Sequence, residues 1–173
     1  GANITWNNGV NDGVTFTPPV GTTTYTVTAD LAGCTSTDQV DVTVNPLPTP
    51  TITPVADLCI DAAVANLVGN PAGGTFSGNG VTGTSFDPAT AGAGTHTITY
   101  DFTDANGCFA STTTDITVNP LPTPTITPVA DLCIDAAVVN LVGNPAGGTF
   151  SGNGVTGTSF DPATAGTGKH TIT

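Results

Sequence analysis

Apolar and polar residues alternate along Thr95–Thr103, with Ile98, Tyr100 and Phe102 on one face and Thr97, Thr99 and Asp101 on the other. A period of two predicts a half-buried β-strand. Cys108–Val118 runs back with Ile116 and Val118 inward, and Asp104-Ala-Asn106-Gly107 between them reads as a turn. Upstream, shorter runs predict strands at Thr51–Thr53, Leu58–Ile60, Val64–Val68, Thr75–Ser77 and Thr84–Phe86. Asn70–Gly74 is a turn, Asn79-Gly80 a hairpin signal, and Asp87-Pro88 to Gly94 a loop. About seven short strands punctuated by turn residues predict an all-β domain of β-sandwich type.

The pattern recurs. Residues 45–99 return as residues 119–173 at an offset of 74, with only Ala65, Ala93 and Thr95 replaced, by Val139, Thr167 and Lys169. The first 44 residues are a diverged copy: Trp6 and Phe16 are spaced like Phe76 and Phe86, Tyr25-Thr-Val-Thr aligns with His96-Thr-Ile-Thr, and Gly33-Cys34 aligns with Gly107-Cys108. This repetition predicts three segments: the back part of one repeat (1–44), a complete repeat of about 74 residues (45–118) and the front part of another (119–173). PLPTP segments at 46–50 and 120–124 are the expected linkers, extended and semi-rigid because alternating prolines favour polyproline II.

Composition narrows the possibilities. Lys169 is the single basic residue against thirteen acids, all of them Asp, giving a net charge of −12. Such a chain cannot release counterions from a phosphate backbone, so nucleic-acid binding is excluded. Anionic lipid is disfavoured as a partner, and no apolar run of 18 residues predicts membrane insertion. Near-absence of Lys, Arg, Glu and Met removes the good helix formers, so no long helix is expected.

Few residues suggest chemistry. Cys59 and Cys108 stand early and late in the complete repeat, and a bridge between them would close fifty residues, worth about 4 kcal/mol in the loop-entropy model. The expected disulfide is therefore Cys59–Cys108, with Cys34 and Cys133 pairing outside the chain; the alternative is four free thiols. Asp101, Asp104 and Asn106, with Asp57 and Asp61 near the domain entrance, offer oxygen ligands for calcium, although Asp and Asn also serve simply as turn residues. Trp6, Phe76, Phe86, Ile98, Tyr100 and Phe102 are the expected core. His96 and His170 occupy equivalent strand positions with no nucleophile in a recognisable arrangement, and no paired carboxylates, metal cluster or phosphate loop supports an enzyme. Apart from calcium no cofactor is expected.

The stretch ITWNNGVNDGVTFTPPVGTTTYTVTA (4–29), the FTDANGC turn (102–108) and the closing DITVNPLPTPTI (115–126) resemble immunoglobulin-like or PKD-like repeats of giant Bacteroidetes surface adhesins. The resemblance implies immunoglobulin-like sandwiches, a bridge across the sandwich between the two domain cysteines, and export by type IX secretion. It further implies an extracellular, outer-membrane-associated protein of the gliding-motility adhesin type. Its expected role is a stalk that extends a binding tip in adhesion, gliding or biofilm formation. Neighbouring repeats would be its main partners, with surface polysaccharide or the secretion and motility machinery as others. Two alternatives remain: repeats that themselves bind polysaccharide or surfaces by avidity, and repeats that pack laterally as a filament or sheath.

Overall fold

The longest alternating segments form the longest strands in the computed structural model, which describes Gly1–Thr173. Strand accounts for 42% of residues and helix for 5%, an all-β composition well above the usual ~20–25% strand. The chain divides into two compact units, Gly1–Asn119 and Pro120–Thr173. The second PLPTP segment thus opens a new unit, whereas the first lies inside unit one.

Unit one begins with β1 (Asn3–Trp6), β2 (Gly21–Leu31) and β3 (Cys34–Val44), an antiparallel sheet in the order β1-β2-β3. It continues with β4 (Thr51–Ile52), β5 (Leu58–Cys59), β6 (Ala65–Asn66), β7 (Gly69–Asn70), β8 (Thr75–Ser77), β9 (Val81–Thr82) and β10 (Ser85–Phe86). Helical turn α1 (Pro88–Ala91) and the long hairpin β11 (Gly94–Thr103) and β12 (Phe109–Asn119) complete it. These later strands form a sheet β5-β12-β11-β8, a sheet β6-β10-β9 and the pair β4-β7.

Burial follows the period-two pattern. Ile98 on β11 and Ile116 and Val118 on β12 meet Phe86 of β10 and Leu67, which lies between β6 and β7, in one buried cluster. Val55, Leu58, Ile60, Phe76, Val81 and Ala91 pack around it. The outward face of the hairpin is polar, and there Thr97 donates to the Asp115 carboxylate at 2.7 Å.

Several local expectations change. Asn79-Gly80 does not close the hairpin; it turns the chain from β8 into β9, and the two-residue turn Gly83-Thr84 joins β9 to β10, with Thr82 opposite Ser85. The loop after Asp87 begins with α1, because Asp87 caps it: its carboxylate accepts from the Ala89 N–H at 3.0 Å, and Pro88 supplies a helical first position that needs no donor. In the first 44 residues β2 and β3 pair from Gly21 opposite Val44, as β11 and β12 pair from Gly94 opposite Val118. Tyr25 therefore occupies the place of buried Ile98, two residues from the expected alignment with His96, and is itself buried.

Unit two contains β13 (Thr125–Ile126), β14 (Val139–Asn140), β15 (Gly143–Asn144), β16 (Val155–Thr156), β17 (Ser159–Phe160) and α2 (Pro162–Ala165). Its pairs β13-β15 and sheet β14-β17-β16 repeat the pairing of β4-β7 and β6-β10-β9. Leu132–Cys133 and Thr149–Ser151, identical in sequence to β5 and β8, are not strands. In unit one those two segments hydrogen-bond to β12 and β11. In unit two Ser151 still exchanges both main-chain bonds with Thr173, at 2.9 and 3.0 Å, as Ser77 pairs with Thr99 in unit one.

Candidate functional site

The five oxygen-bearing residues expected to gather around calcium fall at two ends of one strand. Asp101, Asp104 and Asn106 lie at the tip of the β11–β12 hairpin. Asp57 and Asp61 flank β5, whose residues Leu58 and Cys59 run parallel to Val118 and Asn119. They consequently lie beside the end of β12, where the chain leaves the repeat. Some ten residues of β12 separate the groups, about 33 Å at strand rise.

The tip explains itself without an ion. Asp104 Oδ1 accepts from the Cys108 N–H at 2.8 Å and the Asn106 N–H at 2.9 Å. These bonds, that to Cys108 foremost, hold the Asp104 carboxyl below the ordinary carboxylate range against a partial desolvation that raises it. A carboxylate so engaged closes the five-residue turn as an Asx motif. Asp101 projects from β11 between Thr75 of β8 and Ser111 of β12.

The same register corrects the disulfide. Cys59 stands beside Asn119 and Cys108 immediately precedes β12, so the two lie about 35 Å apart along the strand, whereas a bridge needs Cα atoms within ~7 Å. All four cysteines are free; Cys34, Cys59 and Cys133 are exposed and Cys108 is half-buried. The length of the loop that a bridge would close says nothing of where Leu58–Ile60 pairs. In fact it joins the same sheet as β12, in parallel.

The aromatic residues organise the repeat. Tyr100 is buried; its hydroxyl donates to the Pro71 carbonyl at 2.6 Å and accepts from the Gly74 N–H at 2.8 Å. Its ring lies 4.5 Å from that of Phe76 and directly over Gly69, where an added Cβ would sit 2.3 Å from the ring. One side chain thus ties β11 to the loop between β7 and β8. Phe86 and Ile98 are buried, and Phe76 and Phe102 half-buried. Trp6 takes the place of Phe76, opposite Val27 on β2, and is half-buried with its indole Nε1 unpaired.

His96 Nε2 donates to the Gly92 carbonyl at 2.8 Å, and His170 repeats this with Gly166 at 2.9 Å. Each imidazole latches the end of a helical turn to the strand that follows. The sequence hinted at none of the Tyr100, Asp104 or His96 bonds individually, although the tyrosine's alternation with Ile98 and Phe102 placed it inward.

No group of three or more His, Cys, Asp or Glu side chains converges on a point. No helix is long and apolar enough to cross a membrane. The chain matches no protein-family model and no curated protein sequence.

Proposed function

We propose that the chain is a repetitive stalk segment of a large secreted cell-surface adhesin, built of immunoglobulin-like sandwich repeats of about 74 residues and serving to carry a binding tip away from the cell. The observation that carries this reading is the pair of near-identical copies: residues 45–99 and 119–173 differ at three positions. Repetition so strict multiplies length, whereas a unique binding site would have left one copy distinct. Three side chains with notable chemistry have internal duties: Tyr100 fastens a loop, Asp104 closes a turn, and His96 caps a helical turn. On this reading the protein is extracellular, its partners are adjoining repeats, and it carries out no catalysis.

The test is retention of beads coated with the purified chain on producing cells, on polysaccharide and on glass, beside an unrelated β-sandwich array. A stalk gives retention equal to the control. Retention well above it on any of the surfaces would shift the adhesive role to the repeats themselves.

A further inference from the structure

The repeat of residues 45–119 sets its first strands beside its last, and this decides how it meets a pull along the chain. The chain enters at Thr51, which pairs with Asn70, next to the Pro71 carbonyl that takes the Tyr100 hydroxyl. Tyr100 stands opposite Thr112, so the entrance is level with the middle of β12, about 23 Å from Asn119 at strand rise. From there the chain runs the same way as β12 and brings β5 beside Val118 and Asn119 in parallel. The Ile60 N–H donates to the Asn119 carbonyl at 2.9 Å, and Leu58 and Ile60 both pack against the buried cluster. Nearer the entrance β4 is held to β7, where the Thr53 N–H donates to the Val68 carbonyl at 2.8 Å.

We propose that the β5–β12 pair is a tension lock, a load-bearing function of the repeat that keeps residues 61–117 folded while the chain is pulled at its two PLPTP segments. Such a pull draws β5 toward the entrance and β12 toward the exit. The two strands are parallel, so the load runs along them in opposite directions and shears the pair. Bonds loaded in shear strain together, whereas bonds at the end of a hairpin open one after another. Leu58 and Ile60 must also leave the core in the same event, which adds the exposure of their apolar surface to the barrier. While the pair holds, the entering strand is tied directly to the exit strand. Residues 61–117, including the Tyr100 socket and the hairpin tip, then lie outside the load path. The source of the tension rests on the stalk reading; the lock is a property of the fold.

The experiment holds the full 173-residue chain by its two ends in an optical trap at constant force and records the time to each extension step. Lifetime under load reads the unfolding rate rather than the equilibrium stability. Opening of the lock is a step of about 190 Å, the extended length of residues 61–117. Ile60→Pro removes the N–H given to Asn119 and should shorten the lifetime before that step at least about fivefold, the change expected for one net hydrogen bond. Tyr100→Phe deletes the hydroxyl that fastens a loop outside the load path. It should lower the urea midpoint yet leave the lifetime under load unchanged. If Ile60→Pro shows no urea transition, Leu58→Ala takes its place with the same expectation. A parent chain without a step of this length, an unchanged lifetime in the β5 variant, or a Tyr100→Phe lifetime shortened as much would each overturn the proposal. Bead retention, which decides the stalk reading, is measured separately, so either can fail without the other.

Discussion

Gly69→Ala sets a side chain against the Tyr100 ring, and the structure assigns it a large cost. At Gly69 the new Cβ would lie 2.3, 2.5 and 2.6 Å from three atoms of the Tyr100 ring. The ring cannot retreat easily, since it is buried and its hydroxyl is held between Pro71 and Gly74. Relief requires moving β7 away from β11 or breaking both hydroxyl bonds. Overpacking of this kind costs about 1–3 kcal/mol, and loss of two hydrogen bonds at ~1 kcal/mol each sets a similar scale. A loss of about 3 kcal/mol is a large share of the ~4–11 kcal/mol expected for a domain of this size. It corresponds to a fall in Tm of roughly 12–24 °C for the 45–119 repeat. Urea unfolding followed by circular dichroism, with hydrogen exchange of residues 98–118 to localise the effect, measures it. A Gly69→Ala chain as stable as the parent would refute the assignment of Tyr100 as the fastener of the repeat.

Other consequences are open to direct tests. Peptide mapping of the chain purified without reductant should reveal no Cys59–Cys108 cross-link, and reductant should leave its Tm unchanged; a Cys59–Cys108 cross-link would contradict the parallel pairing of β5 with β12. Calcium and chelator should give the same melting curve, because Asp104 is engaged by its own turn and Asp57 and Asp61 lie at the far end of β12; a calcium-dependent rise in Tm would show another arrangement. Asp87, Asp104 and Asp161 have carboxyl groups held below their usual range, the first and third chiefly by the hydroxyls of Thr90 and Thr164 and the second chiefly by the Cys108 N–H. A carboxylate with a depressed folded-state value stabilises above its unfolded value and loses that contribution as pH falls through the folded one. Stability should therefore decline below about pH 4, and Asp87→Asn should flatten that decline; an unchanged acid limb in the variant would count against the cap.

The hairpin was legible because period-two alternation over Thr95–Thr103 is a local signal and its burial follows directly. The repeat was legible from identity alone. The role of Leu58–Cys59 was not, since the same residues at Leu132–Cys133 form no strand; the deciding information sits on β12, some sixty residues away. The cysteine pairing rests on the same missing information, because loop length alone does not fix which end of β12 lies beside Cys59. The alignment of Tyr25 failed by two residues because the loop before β2 is shorter: Gly21 follows Phe16 by five residues, whereas Gly94 follows Phe86 by eight. Asp87 opens an expected loop, yet Asp-Pro before a short apolar run also fits the capped helical turn observed. The candidate calcium set was drawn from residue types, and only three-dimensional register shows that its members occupy opposite ends of the repeat.

The central claim is that these repeats supply reach. Its most direct test removes whole 74-residue units from the array in producing cells and measures, by immunogold labelling, the distance of a distal tag from the cell envelope, together with adhesion. The stalk account predicts that the tag draws inward by a constant step for each unit removed, with adhesion per exposed tip unchanged. Loss of adhesion on removal of a single unit, with the tag distance unaltered, would contradict it.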